Sequence, residues 1–346
     1  MTDLWQTLRA SDRPILLYGM GDGADKVLAV CESKGIAVSG VFASDGFARG
    51  NDFHGMPVTN YQTACENFGR FIVLLSFATR REEVLSNVER IAREQTLYVP
   101  DVPVVGENLF DADFYEIHKE KFDLARSLLA DELSRKVFDC VIAAKLTGEL
   151  AYLQKNTTTD DEDFSSVLHP GNYRVCGDFG AYDGDTARDL LRRNPKIETV
   201  VALESDRKTF LRLQKKTEGS PVRAFEGAAW DREETLLFSL TGGRGSGGAM
   251  HGKKTLVRAL PVDRLFDDLR ADYLKFDVEG AELRALKGAA GTIDRDRPEM
   301  LISCYHRAED LFALPLYLHE RHPFYKLYLR RRAGVPAWDV NLYAVT

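Results

Sequence analysis

An apolar segment in the middle of the chain breaks into glycines and carboxylates just before a helical pattern, over residues 174–186. This order is typical of a strand whose turn into a helix binds a ligand, because glycines let the backbone approach the ligand and a helix start offers free N–H groups. Residues 273–283 repeat the order of apolar strand, carboxylate and glycine. Two such strand ends predict one shared binding site in an α/β fold.

The length of 346 residues exceeds that of a usual single domain. We therefore expect a smaller N-terminal α/β domain over residues 1–112, a helical connector over residues 113–165 and a larger C-terminal α/β domain over residues 166–346. Apolar side chains recur at helical spacing in residues 113–153. The polar run 154–163 is interpreted as a loop at the boundary.

The composition argues against several classes of protein. The net charge of −7 disfavours a general nucleic-acid binder, because such binding rests on lysine and arginine, and the basic run 330–332 is interpreted as a solvated strand or turn without a function. The five cysteines contain no C-x-x-C pair, so neither a disulfide framework nor a zinc cluster is predicted. Apolar runs such as residues 71–75 are too short to span a membrane, and we expect a cytoplasmic protein.

The N-terminal region has a glycine turn of its own. An apolar strand at residues 14–18 leads into G-x-G-x-x-A at residues 19–24 and then into a helical pattern, which is the order of a Rossmann-like dinucleotide-binding unit. The next strand, residues 37–42, ends near Asp45, where such a unit places an acid for a ribose. Either the turn binds a nucleotide, or its glycines serve only a tight strand-to-helix turn. Strands at residues 71–77 and 96–99 and a helix at residues 81–93 would complete a small parallel sheet.

The predicted strands of the C-terminal region end in residues that can bind a ligand. In an open parallel sheet, ligands bind outside the carboxyl ends of the strands, so these residues should line one crevice. A carboxylate such as Glu204 can accept two ribose hydroxyls, and a small residue such as Ala228 leaves room for a flat ring. The residues at the five strand ends are Asp178, Glu204, Ala228, Asp277 and His306.

Three motifs in this region resemble those of a known family. The first glycine loop contains Asp178-x-Gly180-Ala181 with Gly184, and the second strand ends in Ala-Leu-Glu204. The most specific motif is Lys275-Phe-Asp-Val-Glu-Gly-Ala-Glu282, which is followed by residues 286–289 and 297–298. From residue 171 to the C-terminus the sequence resembles the FkbM-type S-adenosylmethionine-dependent methyltransferases. Tyr182 departs from the asparagine of many relatives, which affects one loop contact.

This resemblance implies a class I methyltransferase fold, a Rossmann-like, doubly wound sheet of seven strands. The last two strands would be residues 325–329 and 340–345. It also implies S-adenosylmethionine as cofactor and a hydroxyl acceptor on a sugar, a lipid or a secondary metabolite. The expected cofactor-binding residues are Asp178, Gly180, Ala181, Gly184, Glu204, Ala228 and Asp277.

Methyl transfer to an alcohol needs a group that takes the hydroxyl proton, because an aliphatic hydroxyl does not ionise at neutral pH. Asp277 and His306 are the expected catalytic residues. His306 could instead only hydrogen-bond a neighbouring carboxylate or loop, and Glu279 and Glu282 could cap or pair at the following helix. Asp277 and Glu279 with a further acid could bind a divalent metal, but no spacing requires it, and no metal site is predicted.

The glycine-rich run 241–249 lies between two predicted strands. It is either a lid over the acceptor, with Arg244 or Ser246 reaching in, or a mobile hairpin loop.

The leading hypothesis is an S-adenosylmethionine-dependent O-methyltransferase with a small-molecule, glycan or lipid acceptor, no nucleic-acid partner and no membrane span. One alternative is an NAD-linked or nucleotide-sugar oxidoreductase that uses the N-terminal domain. Another is a protein that binds S-adenosylmethionine without catalysis.

Overall fold

The structure is a computed structural model that describes residues 2–44, 46–48, 50–240 and 253–346. Asp45 and the glycine-rich run with Arg244 and Ser246 lie outside the described residues, so what we expect of them stays a prediction. The described chain forms one large sheet from its N-terminal part, another from its C-terminal part, and a small third sheet beside the second.

The N-terminal sheet has, among the described residues, six strands that are parallel except for one edge strand. The strands are β1 (Ile15–Tyr18), β2 (Gly40–Ala43), β3 (Asp52–Phe53), β4 (Met56–Asn60), β5 (Ile72–Leu75) and β6 (Thr96–Tyr98), in the order β3-β4-β2-β1-β5-β6. Every residue of β1 and β5 is buried, as in parallel strands covered on both faces. The predicted strands correspond to β1, β2, β5 and β6, whereas the short, polar hairpin β3–β4 has no strand pattern in the sequence. The helices of this part are α1 (Leu4–Arg9), α2 (Asp22–Ser33), α3 (Tyr61–Phe68) and α4 (Glu82–Glu94).

The glycine turn between β1 and α2 has a packing reason. A Cβ atom at Gly23 would lie 2.4 Å from the carbonyl oxygen of Ser76, so the glycine lets α2 approach the end of β5. The first turn of α2 also carries Asp22 and Asp25, whose charges oppose a phosphate at that helix start. Both observations favour the interpretation that these glycines serve the turn itself.

Five helices connect the two large sheets in the described chain. They are α5 (Ala112–Ile117), α6 (Lys119–Ser127), α7 (Glu132–Thr147), α8 (Leu150–Leu153) and α9 (Asp160–Ser166). The loop predicted for residues 154–163 is therefore wrong at its end, where α9 begins. Thr159 and Glu162 form a capping box there, and this local hydrogen bonding starts a helix in a run of acidic residues.

The C-terminal sheet has seven strands within the described residues. The strands of this half are β7 (Val175–Phe179), β8 (Thr199–Glu204), β9 (Val222–Glu226), β10 (Ala228–Trp230), β11 (Glu234–Leu240), β12 (Lys253–Pro261), β13 (Tyr273–Phe276), β14 (Glu299–Ser303), β15 (Lys326–Arg331) and β16 (Val340–Val345). The large sheet has the order β15-β16-β14-β13-β7-β8-β9, and β16 is antiparallel to both neighbours. The small sheet has the order β10-β12-β11. The helices are α10 (Asp185–Arg193), α11 (Arg207–Lys216), α12 (Val262–Leu265), α13 (Glu282–Lys287), α14 (Ala290–Asp296) and α15 (Asp310–Arg321).

The α/β fold class and the seven-stranded sheet that closes with β15 and β16 are confirmed. Five of its strands, β9, β8, β7, β13 and β14, run parallel to one another. Their carboxyl ends therefore lie along one edge of the sheet, which is where a doubly wound fold binds its ligand.

One continuous apolar core joins the N-terminal and C-terminal sheets. It contains Tyr18 of β1, Phe122 of α6 and Phe276 of β13, all buried. The two sheets are thus packed together through the connecting helices. Among the described residues no helix is long and apolar enough to cross a membrane.

The basic run at the end of β15 is buried, so the expectation of a solvated strand or turn is wrong. Arg330 donates to Asp131 at 2.6 Å and to Ser134 at 2.8 Å, both at the start of α7. Arg331 donates to the carbonyl oxygen of Leu153 in α8. The three guanidinium groups therefore fix the connecting helices to the sheet. Arg332 donates to Asp160 and Asp163 of α9 and to the hydroxyl of Tyr343 in β16.

We predict that Arg332→Ala lowers the free energy of unfolding by about 3–5 kcal/mol, because the buried Asp163 loses its close cation and keeps only Arg330, whose Nε lies 3.8 Å from Asp163 Oδ1. Chemical denaturation followed by circular dichroism measures the change. Arg192→Ala is the matched control, since Arg192 is exposed and pairs with Asp189 at the surface, and it should cost at most about 1 kcal/mol. Equal effects of the two substitutions would contradict the role of Arg332.

Candidate active site

A cavity of about 720 Å³ opens at the carboxyl ends of the parallel strands of the C-terminal sheet. Of the residues expected to bind a ligand, Gly180, Glu204, Ala228, Asp277 and His306 line this cavity. The other three expected residues stand elsewhere. Asp178 and Ala181 are buried behind the cavity wall, and Gly184 lies at the start of α10.

The turn after β7 requires glycine because the ends of β7 and β13 approach each other closely. Gly180 has a φ of +81°, and a Cβ atom there would lie 1.8 Å from the carbonyl oxygen of Asp277. Gly184, with a φ of +82°, starts α10, where a Cβ atom would lie 2.8 Å from Thr217. Only glycine satisfies both the backbone conformation and the space at Gly180. The glycine therefore allows the end of β13 to approach the turn after β7.

Glu204, at the end of β8, is a carboxylate held by backbone groups. Its Oε2 accepts a hydrogen bond from the Tyr182 amide at 2.9 Å, and its Oε1 accepts one from the Asp206 amide at 2.8 Å. Burial raises the pKa of Glu204 to about 7, although these amides stabilise the ionised form. Tyr182, the position at which the sequence departs from the motif that it resembles, thus holds Glu204 through its backbone amide.

Lys275 lies in β13 between two carboxylates. Its Nζ is 3.2 Å from Asp178 Oδ1 in the neighbouring strand and 3.7 Å from Asp277 Oδ2. Burial alone would lower the pKa of Lys275, but the two carboxylates outweigh it and raise that pKa above its usual value. Asp178 therefore acts on the site through Lys275, a partner that we had not predicted. Lys275 is a charged residue inside an otherwise apolar strand pattern. A charge in such a pattern is the sequence signal for a buried ion pair.

His306 lies just after β14 and is almost completely buried. Its Nδ1 is 2.9 Å from Glu282 Oε1, and its Nε2 is 3.5 Å from Glu279 Oε2 and 3.7 Å from Asp277 Oδ1. Burial alone would lower the pKa of His306, but the three carboxylates raise it to about 10. The His306 ring therefore pairs with the carboxylate of Glu282, which is the alternative role considered for it from the sequence. The ring also faces Asp277.

Asp277 and Glu279 are members of this group that the cavity can reach, since about a third of each side chain is exposed. Burial would raise the pKa of Asp277, but Lys275 and His306 together lower it. Asp277 is therefore an ionised carboxylate at the cavity surface. Glu282 is buried and accepts hydrogen bonds from the amides of Val278 at 2.9 Å and Gly280 at 3.3 Å, which is the pairing role considered for it.

The opposite wall of the cavity comes from parts of the chain that had not been predicted. Thr79, after β5 of the N-terminal sheet, exchanges backbone hydrogen bonds of 2.8 and 3.1 Å with Val335. Arg80 pairs with Asp339. The rings of Tyr305 and Trp338 line the same wall, with centroids 6.3 Å apart and planes inclined by 27°. No sequence motif marks these residues, because they come from three distant segments.

Residues 178–332 match the model of the methyltransferase FkbM domain family. Among solved structures, the chain is similar to methyltransferase FkbM from Methylobacillus flagellatus KT, with a TM-score of 0.75 and 21% identity over 99% of this chain and 92% of that chain. A putative O-methyltransferase from Klebsiella pneumoniae is similar over 68% of this chain and 96% of that chain, with 12% identity and a TM-score of 0.36. No curated protein matches the chain. The first similarity shows the fold of the whole chain, and the class I methyltransferase fold is confirmed.

We predict that Gly180→Ala destabilises the protein more than Gly219→Ala does. Both glycines have a positive φ, but nothing lies within 4 Å of a Cβ atom at Gly219. The control should therefore cost only the backbone strain of about 1–2 kcal/mol. Gly180→Ala should cost about 1–3 kcal/mol more from overpacking. Denaturant unfolding of both variants checks this, and equal costs would mean that the strand ends are not in contact.

Proposed function

We propose that this protein, whose residues 178–332 match the methyltransferase FkbM domain, transfers a methyl group from S-adenosylmethionine to a hydroxyl of a small-molecule, glycan or lipid acceptor. The observation that carries the proposal is the convergence of Gly180, Glu204, Ala228 and Asp277 on one cavity at the carboxyl edge of a class I methyltransferase sheet. The family model and the fold support methyl transfer in general. The cofactor and the acceptor class are our inference from the site.

The residues present fit S-adenosylmethionine. Gly180 lines the cavity at the end of β7, where the amino-acid end of the cofactor would lie. Glu204 offers a carboxylate for the two ribose hydroxyls, and Ala228 leaves space for the adenine. Asp178 contributes indirectly, since it holds Lys275 at the cavity wall, and Ala181 and Gly184 shape the turn. When bound, the cofactor supplies an electrophilic methyl group, and alignment of the two reactants provides much of the acceleration.

Asp277 and His306 are the proposed catalytic residues. Asp277 is ionised and reaches the cavity, so it can accept the hydroxyl proton as the acceptor oxygen becomes a nucleophile. His306 lies 3.7 Å behind it and is held by Glu282. The Nε2 atom of His306 can hydrogen-bond to Asp277 or to the acceptor oxygen. Either bond would orient the acceptor hydroxyl and Asp277 relative to each other while the ring stays buried.

The acceptor would occupy the side of the cavity next to Tyr305 and Trp338. Two aromatic rings beside polar groups suit a molecule with a flat apolar face and hydroxyls at its edge. Thr79 and Arg80 close this side, so the N-terminal part would select the acceptor. The domain limits at residues 112 and 165 and the cytoplasmic location stay predictions.

The oxidoreductase alternative would use the N-terminal glycine turn. Asp22 and Asp25 at that helix start oppose a dinucleotide phosphate, and Gly23 is explained by its contact with Ser76. No observation on the described residues favours this alternative. Titration with S-adenosylmethionine and with NAD separates the two functions, and binding of NAD alone would overturn our proposal.

Glu204→Gln should bind S-adenosylmethionine about 10–100-fold more weakly, because a charged acceptor of two hydrogen bonds is lost. The wild-type affinity should also fall as the pH drops from one unit above to one unit below the Glu204 pKa of about 7, since protonation removes that acceptor. The variant should lack this dependence. Isothermal titration calorimetry with the cofactor measures both effects.

Glu226→Gln is the matched control. Glu226 is the register partner of Glu204 in the neighbouring strand, but it is exposed and pairs with Arg207. It should bind the cofactor like the wild type at each pH. Any dependence that comes from the amino group of the cofactor would appear in all three proteins. A Glu204→Gln variant with wild-type affinity would contradict the role of Glu204.

Asp277→Asn should lower turnover by about 10²–10⁴-fold, because the group that accepts the hydroxyl proton is lost. The loss of cofactor affinity should be smaller than the loss of turnover. Release of S-adenosylhomocysteine with a panel of hydroxylated acceptors measures turnover, and Glu226→Gln again serves as the control. Wild-type turnover of Asp277→Asn would remove its catalytic role, and cofactor binding without turnover on any acceptor would favour the non-catalytic alternative.

A further inference from the structure

Three carboxylates surround one imidazole at the base of the cavity. Asp277, Glu279, Glu282 and His306 form this group, which we call the His306 cluster. Asp277, Glu282 and His306 each offer one ligand atom, and these three atoms lie within 4.8 Å of one another. Glu279 Oε2 lies 3.5 Å from His306 Nε2. The fold thus brings together carboxylates from the turn after β13 and a histidine from the end of β14.

The charges of this cluster do not balance. Asp178, Asp277 and Glu282 are paired with two groups, the His306 ring and Lys275, whose Nζ lies 3.2 Å from Asp178 and 3.7 Å from Asp277. Arg307 donates its Nε to the carbonyl oxygen of Gly280 at 2.6 Å rather than to a carboxylate of the cluster. A surplus of negative charge near buried groups is costly unless a cation compensates it.

A second observation concerns Glu282. Its Oε1 accepts two backbone hydrogen bonds, but its Oε2 is enclosed and has no hydrogen-bond partner among the described residues. Only 1% of Glu282 is exposed, so water does not reach this oxygen freely. Buried carboxylate oxygens are normally paired, and one without a partner beside an imidazole points to a missing cation.

We propose that the His306 cluster binds a divalent metal ion, with His306, Asp277 and Glu282 as ligands and Glu279 close enough to join them. Metal–ligand bonds of about 2.0–2.2 Å require ligand atoms up to about 4.4 Å apart, so small side-chain rotations suffice. One imidazole nitrogen with carboxylate oxygens suits Mn²⁺, Fe²⁺ or Zn²⁺ better than Ca²⁺ or Mg²⁺.

This metal site rests on the proposed function, because it deepens the role of the same cavity. A cation held through one carboxylate oxygen of Asp277 would polarise the acceptor hydroxyl, and the hydroxyl proton would pass to the other oxygen of Asp277. The sequence alone had led us to expect no metal, since Asp277 and Glu279 without further ligands did not require one. The fold adds His306 and Glu282, which are distant from each other in sequence.

The test uses the full chain, treated with a chelator and free of S-adenosylmethionine, and titrated with Mn²⁺ alone. The electron paramagnetic resonance signal of free Mn²⁺ should show one bound ion per chain. Asp277→Asn and Glu282→Gln should weaken the binding by about 10–100-fold. Asp339→Asn, which removes a cavity carboxylate that pairs with Arg80 instead, should bind Mn²⁺ like the wild type.

Thermal melting of each variant verifies that it is folded, and Asp277→Asn, whose residue is partly exposed, keeps the test valid if Glu282→Gln fails to fold. Absence of Mn²⁺ binding by the wild type would overturn the proposal, as would equal binding by Asp277→Asn. Titration of the same chelated protein with S-adenosylmethionine distinguishes the two failures. Cofactor binding without Mn²⁺ binding would overturn only the metal site, whereas loss of both would also overturn the proposed function.

Discussion

The buried charge of Lys275 fixes the two strands on which the site depends. Lys275 and Asp178 are register partners in β13 and β7, and their side chains lie 3.2 Å apart. Because a slip of one residue would turn a charged side chain to the opposite face of the sheet, the pair specifies the register. That register brings the end of β7 against the end of β13, where Gly180 contacts the carbonyl oxygen of Asp277. Glu204 and His306 then follow from the neighbouring strands.

The parts of the fold that the sequence predicts are those with local causes. The central strands are short apolar runs that end in a carboxylate or a glycine, and such runs are recognisable without any tertiary information. The N-terminal glycine turn was also located correctly, although its chemistry was left open. The family resemblance added the antiparallel strand pair at the C-terminus, which periodicity alone does not identify.

The parts that the sequence did not predict depend on contacts between distant residues. Arg330 and Arg332 form a basic run that resembles a solvated surface, because their partners Asp131 and Asp163 lie far away in the chain. For Glu282 the sequence left capping or pairing at the following helix open, since its contact with His306 exists only after β13 and β14 pair. Charge runs and acidic turns are therefore ambiguous until the counter-charges are placed.

A backbone bridge between Thr79 and Val335 joins the N-terminal and C-terminal parts of the chain at the cavity. The residues proposed to select the acceptor therefore differ from those proposed to bind the cofactor. On the side of the cavity that we propose for the cofactor, Gly180, Glu204 and Ala228 lie at the ends of C-terminal strands, while the other wall is shared with a loop of the N-terminal sheet. Substitutions in that loop can reshape the cavity without disturbing the register of β7 and β13. Under the proposed function, a few changes around Thr79 and Arg80 would thus alter the choice of acceptor, while the residues proposed for the methyl donor stay constant.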